Sequence, residues 1–156
     1  MDTPPAIKTI FLADDNGRDC ATFEKAIIRV DPHIQLTTVT NGEELLQLLT
    51  HYIPGLLFLD LEMPATNGIQ CLQTIRSNRV YDRLPIVVFT ATQRTNNIQV
   101  TYGLGANLFF TKPKEYESLV HSLQYILRMD WSDPASITAR YFCNNQYEPF
   151  RLSATS

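Results

Sequence analysis

The sequence lacks the marks of a membrane protein, a secreted disulfide-rich protein and a zinc protein. No apolar run approaches the roughly 18 residues that span a bilayer, so no membrane partner is predicted. The N-terminal MDTPPAIK has neither the basic start nor the apolar stretch of a signal peptide. The three cysteines, Cys20, Cys71 and Cys143, form no Cys-x-x-Cys pair, which favours reduced thiols in or near the core. Together these absences predict a cytoplasmic protein.

Excess positive charge, histidine clusters and a glycine-rich phosphate loop are also missing. The net charge is −3 and the pI is near 5.5, which argues against broad binding to DNA or RNA, so no nucleic-acid partner is predicted. The three histidines, His33, His51 and His121, have no metal-ligand spacing, and we expect them on the surface or half-buried. A flavin- or nucleotide-binding domain needs glycines after its first strand, where this chain has the acidic ADDNGRD.

Short apolar runs alternate with amphipathic segments along the 156 residues, a length that suits one domain. The predicted strands, all apolar or rich in β-branched residues, are 7–13, 34–40, 55–60, 84–91 and 107–113. The predicted helices, which carry apolar residues at helical spacing, lie within 20–30, 42–52, 68–78, 96–106 and 116–129. The fourth is predicted to end at Gly103 or Gly105, where glycine supplies a left-handed cap. This alternation predicts an α/β fold with a doubly wound, flavodoxin-like, five-stranded parallel sheet in the order 2-1-3-4-5 and helices on both faces.

Residues 130–156 form an aromatic C-terminal extension that is too short for a typical DNA-binding output domain. Its segment SDPASITARYF predicts a short helix, with Asp133 as the cap and Pro134 in the first turn. The aromatic residues of the extension are Trp131, Tyr141, Phe142, Tyr147 and Phe150. Two alternatives stay open, because the extension either packs on its own domain or exposes these aromatics as a partner or homodimer contact.

Polar side chains stand at the ends of four predicted strands. Asp14 and Asp15 follow the first strand, Asp60 ends the third, Thr90 ends the fourth, and Lys112 ends the fifth. Ligands of such sheets bind outside the carboxyl ends of the strands, at the point where the strand order reverses. Because strands 1 and 3 flank that point, the carboxylates of Asp14, Asp15 and Asp60 are predicted to converge.

Three converging carboxylates need a cation, because like charges in a partly dry site raise one another's pKa. Mg²⁺ prefers oxygen ligands, and Lys112 adds a second positive charge. Together they suit a phosphoryl group, whose oxygens carry negative charge in the transition state. Asp60 would then be the nucleophile that becomes an aspartyl phosphate, and Thr90 would donate a hydrogen bond to a phosphoryl oxygen.

Four blocks, IFLADDN, LLFLDLEMPATNG, IVVFTA and FFTKP, resemble in order and spacing the signature blocks of response-regulator receiver domains. The resemblance covers about residues 6–129 and implies that they form the receiver domain. The site residues that it implies are Asp60 as the phosphoacceptor, Asp14 and Asp15 as the acidic metal pair, Thr90 as the switch hydroxyl and Lys112 as the phosphate-binding lysine. It also implies that Glu62, two residues after the acceptor, lends its backbone carbonyl to the metal.

The resemblance implies a switch as well. A phosphoryl group on Asp60 draws the Thr90 hydroxyl towards it, and Phe109, three residues before Lys112, turns inward into the vacated space. The face made by the fourth helix, the fifth strand and the fifth helix is then remodelled, and partners read it. The side chain of Glu62 is expected to alter the lifetime of the aspartyl phosphate, in a direction that the sequence does not give.

The predicted function is that of a stand-alone receiver in a two-component or phosphorelay pathway, and not of a turnover enzyme. It would take the phosphoryl group from a sensor histidine kinase or a histidine phosphotransfer protein, and would signal through contacts with a downstream protein. One alternative is a small magnesium-dependent phosphatase, which needs a second catalytic aspartate where this chain has Glu62. Another is an interaction module that is never phosphorylated, which the intact acid set disfavours.

Overall fold

Parallel strands form a five-stranded sheet in the order 2-1-3-4-5, as the alternation predicts. The computed structural model describes residues 5–91 and 94–152. The strands of the sheet are β1 Thr9–Ala13, β2 Gln35–Val39, β3 Leu56–Leu59, β4 Ile86–Thr90 and β5 Leu108–Thr111. All residues of the central β3 are buried, which is the pattern of a parallel strand covered on both faces.

Helices follow the strands on both faces of the sheet. The helices in the described ranges are α1 Gly17–Val30, α2 Gly42–Leu49, α3 Gly68–Arg76, α4 Thr95–Gly103, α5 Tyr116–Leu127 and α6 Pro134–Arg140. A 3₁₀ turn spans Arg79–Tyr81, and a short hairpin pairs β6 Phe142–Cys143 with β7 Gln146–Tyr147. None of the helices in the described part of the chain is both long and apolar enough to cross a membrane.

Local hydrogen bonds explain where helix ends differ from the predicted ones. α1 begins at Gly17 and not at residue 20, because Asn16 Oδ1 accepts a hydrogen bond from the Asp19 N–H at 3.0 Å and caps the helix there. The predicted end of α4 at Gly103 or Gly105 is confirmed, since the helix ends at Gly103. Gly105 then takes a left-handed φ of 108°, which glycine adopts without strain.

The sheet separates two apolar cores. One core lies between the sheet and helices α2, α3 and α4, and contains Leu59 and Phe109. The other lies between the sheet and helices α1 and α5, and contains Phe58 and Phe110. Successive strand residues point to opposite faces, so each neighbouring pair contributes one side chain to each core.

The C-terminal extension packs against both cores, with Tyr147 against the first and its other buried aromatics in the second. α6 begins as predicted at Pro134, after the side chain of Asp133 accepts a hydrogen bond from the Ser136 N–H. Trp131 and Phe150 are buried among the residues of the second core, as the packed alternative predicts. Phe142 differs, because its side chain is 47% exposed in the hairpin.

The cysteines and histidines are largely where the sequence predicts. Cys71 is buried and Cys20 is half-buried, and the three histidines are exposed. The prediction of a thiol in or near the core is wrong for Cys143, because the hairpin that carries it places it at the surface.

Gly68 lets the N-terminus of α3 approach the end of β3. A Cβ atom on Gly68 would lie 2.2 Å from the backbone oxygen of Asp60 and 2.6 Å from Leu61 Cα. Gly68→Ala is therefore expected to lower the free energy of unfolding by about 2–3 kcal/mol through overpacking against fixed backbone. Urea denaturation measures this, with Gly103→Ala as the matched control.

A Cβ atom on Gly103 meets nothing within 4 Å. Gly103→Ala is thus expected to leave the stability unchanged or to raise it by up to about 1 kcal/mol, through helix propensity alone. Equal stability of the two variants would contradict the close approach at Gly68.

Candidate functional site

The carboxylates of Asp14, Asp15 and Asp60 converge at the carboxyl edge of the sheet, as the topology predicts. Asp14 and Asp15 follow β1, and Asp60 follows β3, which is a neighbour of β1 in the sheet. One carboxylate oxygen from each residue lies within 4.8 Å of the other two. Asp14 is 0% and Asp60 is 4% exposed, whereas Asp15 is exposed at the rim.

Backbone hydrogen bonds hold the two buried aspartates as extensions of the sheet. The Asp14 N–H donates to Val39 O at 3.0 Å, and the Asp60 N–H donates to Ala13 O at 2.9 Å. These bonds continue the ladders of β1 with β2 and of β3 with β1. The carboxylates are therefore positioned by the rigid part of the fold and not by a loose loop.

Lys112 is the positive centre of the cluster. Its Nζ lies 2.7 Å from Asp14 Oδ2, 2.8 Å from Asp19 Oδ2 and 3.2 Å from Asp60 Oδ2. Burial alone would lower the pKa of Lys112, but its contacts with Asp14 and Asp19 and the charge of Asp60 raise it above the ordinary value. Lys112 therefore carries a full positive charge at neutral pH.

The negative charge of Asp14 is unfavourable in its buried position. Burial raises the pKa of the Asp14 carboxyl, and its contact with Lys112 and the hydrogen bond from the Asn16 N–H offset only part of this. A buried carboxylate with a raised pKa favours a proton or a cation as its partner. Asp14 is accordingly suited to take up a cation.

Asp60 presents its two carboxylate oxygens to different groups. Oδ1 accepts a hydrogen bond from the Glu62 N–H at 3.1 Å, and Oδ2 faces Lys112. The Glu62 N–H fixes the orientation of the carboxylate, while the Glu62 residue is exposed. The metal-binding role of the Glu62 carbonyl stays a prediction.

Thr90 carries a buried hydroxyl at the end of β4. The residue is 0% exposed, and its Oγ1 has no hydrogen-bond partner among the described residues. A buried hydroxyl without a partner costs free energy, which an acceptor placed nearby would recover. Its main chain adjoins the lysine, because the Lys112 N–H donates to Thr90 O at 2.8 Å.

Phe109 is completely buried, at 0% exposed, in the core beneath α4. The predicted switch has the Phe109 ring turn inward, but the structure shows this ring already inside the core. Its backbone N–H donates to the hydroxyl oxygen of Tyr102 at 3.0 Å. The switch role of Phe109 stays a prediction.

Asp19 is a site residue that the sequence reasoning missed. It lies in the first turn of α1, where its carboxylate reaches Lys112. The signal that could have found it is Asn16 as a helix N-cap, which places Asp19 in the first turn of α1. Starting the helix at residue 20 left Asp19 in a loop.

The donor set suits a hard divalent cation. Two of the three clustered carboxylates are buried and have little water to screen them, and Lys112 supplies one positive charge against three negative ones. Mg²⁺ takes oxygen ligands, typically uses one or two carboxylates and keeps several waters. The exposed rim at Asp15 leaves room for such waters.

Comparison with known proteins gives a family match and longer relatives. The family model for the response regulator receiver domain matches residues 10–124. The nitrate/nitrite response regulator protein NarL of Escherichia coli strain K12 is 32% identical over 116 residues, which are 74% of this chain and 52% of NarL. Stress response regulator protein 1 of Clavispora lusitaniae is 26% identical over 125 residues, which are 77% of this chain and 64% of that protein. The chain therefore spans less than two thirds of these relatives.

Solved structures share the fold over most of their length. The phosphorylated cyanobacterial phytochrome response regulator RcpA has a TM-score of 0.72 and 28% identity, covering 78% of this chain and 91% of RcpA. The Mn²⁺-bound form of response regulator Rcp1 has a TM-score of 0.70 and 25% identity, covering 76% of this chain and 91% of Rcp1.

Proposed function

The chain belongs to the response regulator receiver domain family, and from that premise we propose that Asp60 is its phosphoacceptor. Receiver domains are signalling proteins that are phosphorylated on an aspartate. The observation that carries the proposal is the setting of Asp60, which is buried between Lys112 and two further carboxylates at the end of the central strand. We propose a phosphohistidine protein as the donor, either a sensor histidine kinase or a histidine phosphotransfer protein.

In the proposed transfer, a carboxylate oxygen of Asp60 attacks the phosphorus of the phosphohistidine. The new P–O bond forms as the P–N bond breaks, and the electron pair of the P–N bond stays on the imidazole, which takes up a proton. Lys112 stands 3.2 Å from Asp60 Oδ2, where it neutralises charge on the transferred group. The Thr90 hydroxyl, which has no hydrogen-bond partner among the described residues, can donate to a phosphoryl oxygen.

The proposed cofactor is Mg²⁺, held by Asp14, Asp15, Asp60 and the backbone carbonyl of Glu62. When bound, the metal supplies positive charge next to the phosphoryl oxygens. The raised pKa of Asp14 and the closeness of the three carboxylates support this choice. The structure of Rcp1 held Mn²⁺, another divalent ion that takes oxygen ligands.

The proposed output is contact with a downstream protein, or with a second copy of this chain. Receiver domains act in signalling and are generally not enzymes, so the phosphoryl group on Asp60 is the signal and not a product. The named relatives are longer than the part that this chain matches, so their own partners are not carried over to it. A downstream protein is proposed because phosphorylation of Asp60 would change the surface that such a protein contacts.

Incubation with a small phosphodonor such as acetyl phosphate tests the proposed chemistry. With Mg²⁺, the intact mass of the chain is expected to rise by one phosphoryl group, and hydroxylamine is expected to remove the gain, because it cleaves acyl phosphates. Chelation of the metal is expected to prevent labelling. Sustained hydrolysis of a phosphoester without a labelled protein would instead favour the phosphatase alternative.

Thr90→Val is expected to slow labelling by roughly 10- to 150-fold, since the phosphoryl group loses one hydrogen bond to a charged acceptor, worth roughly 1.5–3 kcal/mol. The unmodified protein is expected to keep its stability, because the hydroxyl has no partner to lose among the described residues. A labelling time course read by intact mass, together with urea denaturation, measures both. Thr90→Ser keeps the hydroxyl and should label at close to the original rate. Equal rates for the valine and serine variants would remove Thr90 from the chemistry.

A further inference from the structure

Residues 141–150, here called the C-terminal segment, attach to the free edge of the sheet. β5 is the outermost strand, and the Phe150 N–H donates to Phe109 O at 2.7 Å on that strand. The Phe150 ring is buried, with its centroid 5.5 Å from that of Phe110 and 5.8 Å from that of Tyr125 on α5. The segment therefore adds one backbone bond and one aromatic anchor to the edge, in the way that an extended peptide adds to a sheet.

A second set of contacts fixes the segment to α4. Gln99 Nε2 donates to Tyr147 O at 2.8 Å, and the Tyr147 N–H donates to Gln99 Oε1 at 2.9 Å. The Tyr147 ring stacks on that of Tyr102, with centroids 4.6 Å apart and planes at 11°. One side-chain amide thus holds both backbone groups of Tyr147, which is a matched, two-bond recognition of an extended backbone.

The hydroxyl of Tyr102 joins the segment to Phe109. It accepts from the Phe109 N–H at 3.0 Å and donates to Glu148 O at 2.9 Å. Burial raises the pKa of Tyr102, so the hydroxyl keeps the proton that it donates. Phe150 thus bonds directly to the Phe109 carbonyl, and Glu148 is linked to the Phe109 N–H through the Tyr102 hydroxyl. Both links depend on the position of the Phe109 backbone.

The segment is shaped to make these contacts by its own turn. Asn144 and Asn145 have φ of 53° and 63°, which is the left-handed pair of a type I′ turn. The Glu148 N–H donates to Tyr141 O at 2.7 Å and closes the hairpin. The hairpin therefore presents Tyr147 and Glu148 to α4 as a preformed unit.

We propose that the outer edge of β5 and the adjoining face of α4 are a docking surface for the chain's own C-terminal segment, and that phosphorylation of Asp60 weakens this docking through the backbone N–H and carbonyl groups of Phe109. The coupling rests on the proposed function. In the docked arrangement, the buried Thr90 hydroxyl has no partner among the described residues, and Val88 of the same strand pairs with Phe109. A phosphoryl group on Asp60 that accepts a hydrogen bond from the Thr90 hydroxyl favours a different packing of β4 against β5. In that packing, the Phe109 backbone groups are displaced from the positions that bond to Phe150 and Tyr102.

The test follows amide exchange in the full chain by NMR, before and after phosphorylation with acetyl phosphate and Mg²⁺, with intact mass measured on the same sample. The N–H groups of Tyr147 and Phe150 report docking, because they donate to Gln99 and Phe109. Phosphorylation is expected to speed their exchange by at least about fivefold, the lower end of coupling between linked sites. Unchanged or slower exchange in a fully labelled sample would overturn the coupling and leave the proposed function standing. A sample that gains no mass would contradict the proposed function, and the coupling with it.

Two variants test the reverse direction, since linkage makes the coupling reciprocal. Gln99→Ala removes both bonds to Tyr147 and is expected to speed exchange at Tyr147 and Phe150 in the unmodified chain. It should also raise the affinity for beryllium fluoride with Mg²⁺, a reversible phosphoryl mimic, by about fivefold. Gln73→Ala, at an exposed glutamine of α3, is the matched control and should change neither quantity. A Gln99→Ala chain with a loosened segment and unchanged affinity would overturn the proposal.

Discussion

Asp60→Asn is expected to abolish phosphorylation of the chain by acetyl phosphate with Mg²⁺. The amide that replaces the carboxylate has no anionic oxygen to attack phosphorus, and the variant loses the charge that faces Lys112 at 3.2 Å. Intact mass after incubation measures the outcome, and the variant should show no added phosphoryl group where the original chain is labelled.

Asp82→Asn is the control for Asp60→Asn. Asp82 is exposed at the end of the 3₁₀ turn, outside the acidic cluster, so its variant should label like the original chain. Circular dichroism of both variants checks that the fold is kept. Labelling of Asp60→Asn at the original level would show that another residue accepts the phosphoryl group.

Asp14→Asn is expected to change metal affinity and stability in opposite directions. Without a metal, the folded chain disfavours the buried charge of Asp14, so its removal should raise the free energy of unfolding at pH 7. The affinity for Mg²⁺ should fall at least about tenfold, because mutating even residues that only hydrogen-bond to a metal's ligands lowers metal affinity by about this factor. Thermal unfolding without metal and calorimetric titration with Mg²⁺ measure the two effects.

The stability gain should depend on pH. Because the pKa of Asp14 is raised in the folded chain, the folded state binds a proton more tightly than the unfolded state does. The contribution of Asp14 to the stability of the original metal-free chain therefore rises as the pH falls through the interval between the two pKa values. The amide of the Asp14→Asn variant does not titrate, so the advantage of this variant should shrink over the same interval. A gain that is constant with pH would contradict a charge-based origin.

Asp15→Asn separates the two effects of Asp14→Asn. Asp15 belongs to the same cluster but is exposed, so water already stabilises its charge. The metal affinity of Asp15→Asn should fall, while its metal-free stability should hardly change. Equal stability gains in the two variants would show that general charge repulsion, and not burial of Asp14, governs the stability of the site.

The sequence predicts the site where the site follows from topology. Parallel strands end at a common edge, so the order 2-1-3-4-5 is enough to bring Asp14 and Asp60 together from positions far apart in the chain. The strand pattern also predicts the two-sided burial of β3. Both rest on periodicity and connection rules that local sequence carries.

Periodicity and connection rules do not predict contacts that depend on the direction of individual side chains. Asp19 reaches Lys112 only because α1 starts at Asn16, and a helix start shifted by one turn hides it. The docking of Tyr147 on Gln99 joins residues 48 positions apart and leaves no periodic mark.

The central claim is that Asp60 receives the phosphoryl group of a phosphohistidine, and mapping the modified residue tests it most directly. The chain is incubated with Mg²⁺ and a phosphorylated histidine kinase domain, then reduced with borohydride, which converts phosphoaspartate to homoserine. Peptide sequencing by mass spectrometry is expected to find homoserine at position 60 and aspartate at positions 14 and 15. Homoserine at position 14 or 15, or a phosphorylated chain that keeps aspartate at position 60, would contradict the account.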